Sequence, residues 1–174
     1  MSTDPASIPN FWTPPAPPSA QPGSPPSLIP DAGLVRELLD QMELKHFLDD
    51  DGDVAVPWEH FRMYFTIQGE GQDRCFSLRT FYDRLPSADT RTDLREIIDD
   101  WNSRTLWPKV YTVGDDEGPV HLIGETQMLI GSGVFLEHFT FSMASWIQAS
   151  IDFYDWLSGH SRHASTAVEC ADDS

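Results

Sequence analysis

The sequence predicts an α+β fold: an antiparallel β-sheet with flanking helices, in the order helix, strands, helix, two strands, helix. Three observations predict it. Met63, Phe65 and Ile67 alternate with polar neighbours, as do Phe76, Leu78 and Thr80, and the Gly69–Asp73 turn joins the two runs. That is the period-two pattern of a hairpin with one apolar face. Leu94, Ile97, Ile98 and Trp101 fall at i, i+3, i+4 and i+7, one face of a helix. Beyond the pair Gly131 and Gly133, a long run is rich in Phe, Trp, Ile and Leu up to Leu157, at helical spacing.

The remaining elements follow in order. Asp31 is placed to cap a first helix whose apolar face is Leu34, Val35, Leu38, Leu39 and Met42, and which should stop near Lys45. His46-Phe47-Leu48, the acidic turn Asp49–Asp53, and Val54-Ala55-Val56 read as a first hairpin. After the strand ending near Pro86, Ser87 or Asp89 offers a cap for the second helix. Val110–Val113 and Val120–Leu129 form two further strands around the turn Asp115–Gly118. Ser132 is expected to cap the last helix and Gly159 to stop it. A twisted antiparallel sheet with helices on one face is the economical solution for this order.

The chain divides into a proline-rich leader, a domain and a tail. Ten of its 14 prolines lie between Pro5 and Pro30, interleaved with Ser and Ala, so residues 1–30 read as a disordered leader. Phe11-Trp12 is its one aromatic pair, either idle or a docking element. Residues 31–158 are the domain, and 159–174 a disordered polar tail.

A formal net charge of −17 repels phosphate backbones and anionic lipid surfaces. Nucleic-acid and membrane binding are therefore not expected. Cys75 and Cys170, one in a strand-like run and one in the polar tail, do not form a disulfide framework. With no secretory signal pattern and no apolar run long enough for a bilayer, a cytoplasmic location is expected.

Motifs for chemistry fail one by one. Counted from Asp49, an EF-hand loop needs glycine at its sixth position and glutamate at its twelfth, where Val54 and His60 stand. The histidines, at 46, 60, 121, 138, 160 and 163, lack zinc-ligand partners at the right spacing. Gly131-Ser132-Gly133 lacks the spacing of a nucleophile elbow, and Arg74 stands where a dinucleotide-binding glycine would follow Gly69 and Gly71. The expectation is no catalytic residue, no metal and no cofactor.

One spaced pattern remains: Asn102 with Pro108-Lys109-Val110-Tyr111, then Gly118-Pro119-Val120-His121-Leu122, Gly131-x-Gly133 and Phe153-x-x-Trp156-Leu157. Together with the opening helix leading into Asp49-Asp50-Asp51-Gly52, it resembles the bacterial YbjN family over residues 31–158. The resemblance implies a two-layer fold like that of type III secretion chaperones, commonly dimeric, and a role in regulating sensory transduction with no established enzymatic activity. It supplies no functional residue set, and the proline-rich leader departs from it.

The expected function is a non-enzymatic, acidic protein-binding module, chaperone-like or regulatory, offering an apolar surface to a protein partner or to a second subunit in a homodimer. The alternative is a small-molecule-binding domain or small enzyme with a pocket between sheet and helices. A third possibility places the function in the leader. Trp101 and Trp107, bracketing the end of the middle helix, are candidate exposed anchors, although Trp101 also completes the stripe of Leu94, Ile97 and Ile98. Ile147, Ile151 and Tyr154 widen the apolar arc of the last helix and are candidates to face a second subunit or partner.

Overall fold

The computed structural model describes residues 26–83, 91–114 and 120–169. Phe11-Trp12, Ser87, Asp89, the turn Asp115–Gly118 and Cys170 lie outside the described residues. Among the described residues the elements are β1 (Ser27–Leu28), α1 (Ala32–Gln41), β2 (Phe47–Leu48), β3 (Val54–Pro57), β4 (Phe61–Gln68), β5 (Cys75–Tyr82), α2 (Arg91–Arg104), β6 (Lys109–Val113), β7 (His121–Leu129), β8 (Val134–Phe135) and α3 (Leu136–Glu169). Strands β2-β3-β4-β5-β7-β6 form a six-stranded sheet in that order, and β1 pairs with β8 in a separate ribbon. All these pairings are antiparallel.

Register decides which side chains share a face. Phe65 lies opposite Leu78, Leu78 opposite Thr126, and Tyr82 opposite Leu122. These side chains, with Val54, Val56, Met63, Phe76 and Val110, point to the same side. Their apolar members belong to one core cluster with Val35, Leu38 and Leu39 of α1, Leu94, Ile98 and Trp101 of α2, and Phe139, Met143, Trp146, Phe153 and Leu157 of α3. All three helices therefore cover one face. Among the described residues, the other face has no helix on it.

Two polar anchors seat α3. Ser150, 1% exposed, accepts from the Thr80 hydroxyl at 3.1 Å, and its carbonyl accepts from the Tyr82 phenol at 3.1 Å. Burial pushes the Tyr82 phenol well up from its ordinary value, so it stays a donor. Gly124 makes room for this arrangement, since a Cβ there would press on Pro108 and the Tyr82 ring at 3.2 Å. Gly131 serves the other end of the sheet. A Cβ there would overlap the backbone of Gly71 and Gln72, and its N–H, with that of Ile130, reaches the Arg74 carbonyl.

Several local expectations need correction. Asp31 caps α1 as expected, accepting from the Leu34 N–H at 2.8 Å, but the helix stops at Gln41 and not near Lys45. Glu43 enters the left-handed region at φ 58°, letting Leu44 N–H close back on the Leu39 carbonyl. Ser132 does not cap α3. It sits in the turn before β8, and the helix begins four residues later at Leu136. Gly159 does not stop α3 either, because the helix runs on to Glu169 through ten residues read as tail. One glycine costs a helix only about 1 kcal/mol relative to alanine, and no proline follows it. Ser27 and Leu28, read as leader, pair with Phe135 and Val134.

Candidate functional site

The uncovered sheet face is the candidate site. Following the register outward, Ala55, Tyr64, Arg79, Glu125 and Lys109 form one row across β3, β4, β5, β7 and β6. A second row runs through Arg62, Phe81, Ile123 and Tyr111. On the other side of the first lie Thr66, Ser77 and Gln127, with Asp53 at the end of the β2–β3 turn beside them. Together these leave an open trough of about 460 Å³, bounded by Asp49, Asp51 and Asp53 at one side and by Asp83 and His121 at the far end.

The floor is fixed by internal bonds. Arg79 donates twice to Glu125 Oε1, from Nη2 at 2.6 Å and from Nε at 3.2 Å. Tyr111 donates to Glu125 Oε2 at 2.9 Å, and Gln127 donates to Oε1 at 2.9 Å. Burial alone would push the Glu125 carboxyl up, but the bonds from Arg79, Gln127 and Tyr111 outweigh it and hold it below its ordinary value. The bond to Glu125 likewise holds the Arg79 guanidinium up, and burial followed by Glu125 pushes the Tyr111 phenol up. Thr66 and Ser77, both nearly buried, share a 2.7 Å bond.

Aromatic rings stand among these groups. Tyr64 and Phe81 meet edge to face at 85°, with centroids 5.5 Å apart, and Arg62 donates to the Tyr64 hydroxyl at 3.3 Å. Three exposed apolar side chains share this side of the sheet by register: Phe47 opposite Ala55, Leu129 opposite Cys75, and Val113 opposite His121. The face is therefore a bonded polar centre with aromatic rings and apolar margins.

The acidic turn is built by its own backbone. Asp49 Oδ1 accepts from Asp51 N–H at 3.1 Å and Asp53 N–H at 2.8 Å. Burial, then the charges of Asp49 and Asp51, push the Asp53 carboxyl up, against a smaller opposing pull from Arg79. Among the described residues, no group of three or more His, Cys, Asp or Glu is placed to hold a metal ion. No helix among them is long and apolar enough to cross a membrane.

The residues proposed from the sequence lie elsewhere. Trp101 is not an exposed anchor. It is 8% exposed, its Nε1 donates to the Pro108 carbonyl at 3.0 Å, and its ring packs 5.0 Å from Phe153 and 5.3 Å from Trp156. Its phase with Leu94 and Ile98 turns it into α3, which is the other reading the sequence allowed. Ile147 is buried in the same core at 6% exposure. Trp107, Ile151 and Tyr154 are half-buried and pack against that core, Trp107 at 6.4 Å from Trp146 and Tyr154 stacked on His60 at 5.5 Å. The helices consume most of the apolar girth of α3 within the chain. The structure does not bring these five residues together on one free surface.

What the sequence reading missed is the outward-facing set of Tyr64, Arg79, Glu125 and Tyr111, drawn from two neighbouring rows. The signal was present in the polar members of the alternating strands, Arg79 between Leu78 and Thr80 above all.

Comparison with known proteins places the fold. The profile of the YbjN family, described as "Putative bacterial sensory transduction regulator", matches residues 31–158. Among solved structures, one described as "Crystal structure of YbjN, a putative transcription regulator from E. coli" superposes with a TM-score of 0.62 at 15% identity, covering 78% of this chain and 96% of that one. At that identity the likeness carries the fold alone, and it is the same α+β architecture. No curated protein matches the chain. The family profile spans well over half of the sequence, from the α1 cap at Asp31 to the turns of α3 that seat on the sheet, and the chain belongs to the YbjN family.

Proposed function

We propose that this member of a regulator family works by holding a protein partner across the uncovered sheet face, with no chemistry performed on what it binds. One observation carries the reading: among the described residues a six-stranded sheet has its three α-helices on one side, and its other face is a shallow trough with aromatic rings and apolar margins. A merely solvated face would be polar throughout. Here Tyr64, Phe81 and Tyr111 stand beside a rigid bonded centre, an arrangement that lowers the ordering cost of binding.

The charge states support binding over catalysis. A general acid or base works best when its pKa lies near the operating pH. Glu125 is held below its ordinary range and Arg79 above, so both stay ionised at neutral pH. The homodimer expected from the sequence enters as a competitor for this face. Two chains of net charge −17 repel one another, so we assign the face to a different polypeptide.

Site-specific photo-crosslinking in the native host tests the reading. A photoreactive residue replacing Tyr64 is expected to give a discrete protein adduct, and one replacing the exposed Gln148 on α3 none. Adducts from position 148 with none from position 64 would overturn it.

A further inference from the structure

We infer that the segment held on the uncovered face is basic and extended, setting a lysine or arginine side chain over the Tyr64–Phe81 ring pair with Asp51, Asp53 and Asp83 meeting its charge. The inference rests on the binding reading above and names the chemistry of the occupant. Four aspartates line the trough against two arginines, Arg62 and Arg79. One of these positive charges is already taken, since Arg79 is bonded to Glu125. The trough is therefore negative in the same sense as the whole chain, whose net charge is −17. Such a field steers cations inward and repels anions.

The Asp49–Asp53 turn concentrates that field. The backbone N–H groups of Asp51 and Asp53 hold the Asp49 carboxylate, the carboxylates of Asp51 and Asp53 line the trough beside it, and burial plus the two neighbouring charges already disfavour a charged Asp53. A cation arriving there relieves the repulsion. The ring pair supplies the second half of the recognition. Both rings line the trough and are partly exposed, and a guanidinium or ammonium is attracted to an aromatic face. An extended backbone also matches the span, since the lining residues come from three adjacent strands and the β2–β3 turn.

Other occupants make different demands. A second copy brings the same negative charge. The chain's own residues 1–25 hold Asp4 as their single charged side chain and are rich in proline, so they would dock without a salt-sensitive step.

The test uses the full-length protein and three synthetic peptides. The first is a nonamer of alternating arginine and valine, the second the same peptide with glutamate for arginine, the third residues 1–25 of this chain. Binding is read by amide chemical-shift mapping. The first peptide is expected to shift Asp53, Tyr64, Phe81 and His121, and the other two to leave them unmoved. Asp51→Asn with Asp83→Asn should weaken the arginine peptide about five- to tenfold, as two lost partly exposed charge pairs would. Asp152→Asn with Asp155→Asn on α3 removes the same charge and should change affinity less than about twofold, being well away from the trough. Tyr64→Ala, with the fold checked by its unfolding midpoint, should weaken binding by a similar factor to the first pair.

Equal effects of the two aspartate pairs would overturn the inference, since general attraction to an acidic protein would then suffice. Stronger shifts from the residue 1–25 peptide would also overturn it, in favour of an internal occupant. If no peptide binds while the crosslinker at position 64 still captures a protein, the basic chemistry is wrong and the binding face stands. If both fail, both readings fall.

Discussion

Replacing Phe76 with alanine is expected to remove about 3–5 kcal/mol of folding stability. Phe76 is 0% exposed and lies on β5 at the centre of the sheet. Its ring meets Phe139 at 4.8 Å, stacks on Trp146 at 5.8 Å and 14°, and faces Phe65 at 6.3 Å. Phe139 and Trp146 belong to α3, so this one ring joins the longest helix to the sheet. Alanine would leave a void between β4, β5 and α3 that cannot close fully, because the Ser150 bonds to Thr80 and Tyr82 hold the helix at its distance. With domains stable by about 5–15 kcal/mol, such a loss consumes a large share of the total. Phe76→Leu keeps most of the volume and should cost less than about 1.5 kcal/mol. Urea unfolding of the three proteins checks both values. A loss below about 1 kcal/mol for the alanine variant would mean that α3 is not seated on β5 as described.

The second large effect is expected at Asn102, through a strand edge and not a cavity. Strand β6 lies at the end of the sheet, with one side paired to β7. Edge strands carry unpaired backbone groups that template association with other chains. Asn102 covers this edge. Its Nδ2 donates to the Val110 carbonyl at 2.8 Å, and its Oδ1 accepts from the Val110 N–H at 2.9 Å, so the amide substitutes for a neighbouring strand. Two residues away, the Pro108 carbonyl is taken by Trp101 Nε1. Lys109 reaches back to the Asn102 and Thr105 carbonyls at 2.9 and 2.8 Å, fixing the end of α2 against the strand. Asn102→Leu keeps the side-chain size and removes both bonds. Both bonds are partly buried, and each contributes about 0.5–1.5 kcal/mol net, so a loss of about 1–3 kcal/mol is expected. Concentration-dependent self-association by sedimentation velocity should accompany it, because Val110 then offers both backbone groups to another chain. A variant that sediments like wild type with stability within about 0.5 kcal/mol would show that the edge is protected by other means.

Asn102 also shows what was legible in the sequence. It stood out there as the first member of a spaced pattern running to Val110 and Tyr111, and the structure gives that spacing a physical cause. The helix face of Leu94, Ile98 and Trp101 and the strand faces of Met63, Phe65, Phe76 and Leu78 were readable because burial on one side imposes a period. Strands β1 and β8 were not readable, since two residues each carry no period. The left-handed turn at Glu43 that follows the helix was hidden for a related reason. A non-glycine residue in the left-handed region follows from how the ends of α1 and β2 must meet, and local composition does not announce it.

The uncovered sheet face was the least legible part. Tyr64, Arg79, Glu125 and Tyr111 are scattered over four strands, and each reads as the polar half of an alternation. Only the register of β4, β5, β7 and β6 sets them side by side, and register is a long-range property. Two of the apolar residues chosen instead, Trp101 and Ile147, are buried for the converse reason. Trp101 and Ile147 look surplus to a single helix face, yet the aromatic stack of Trp101, Phe153 and Trp156 and the seat of Trp146 on Phe76 use them inside one chain.

A partner held on the bare side of the sheet would shield that side from solvent. Hydroxyl-radical footprinting of the chain, free and in the complex purified from its host, measures that directly. Tyr64, Phe81 and Tyr111 should lose reactivity in the complex, while Phe141, 72% exposed on the side of α3 away from the core, should keep its own. Protection at Phe141 with Tyr64 and Phe81 unchanged would contradict the account.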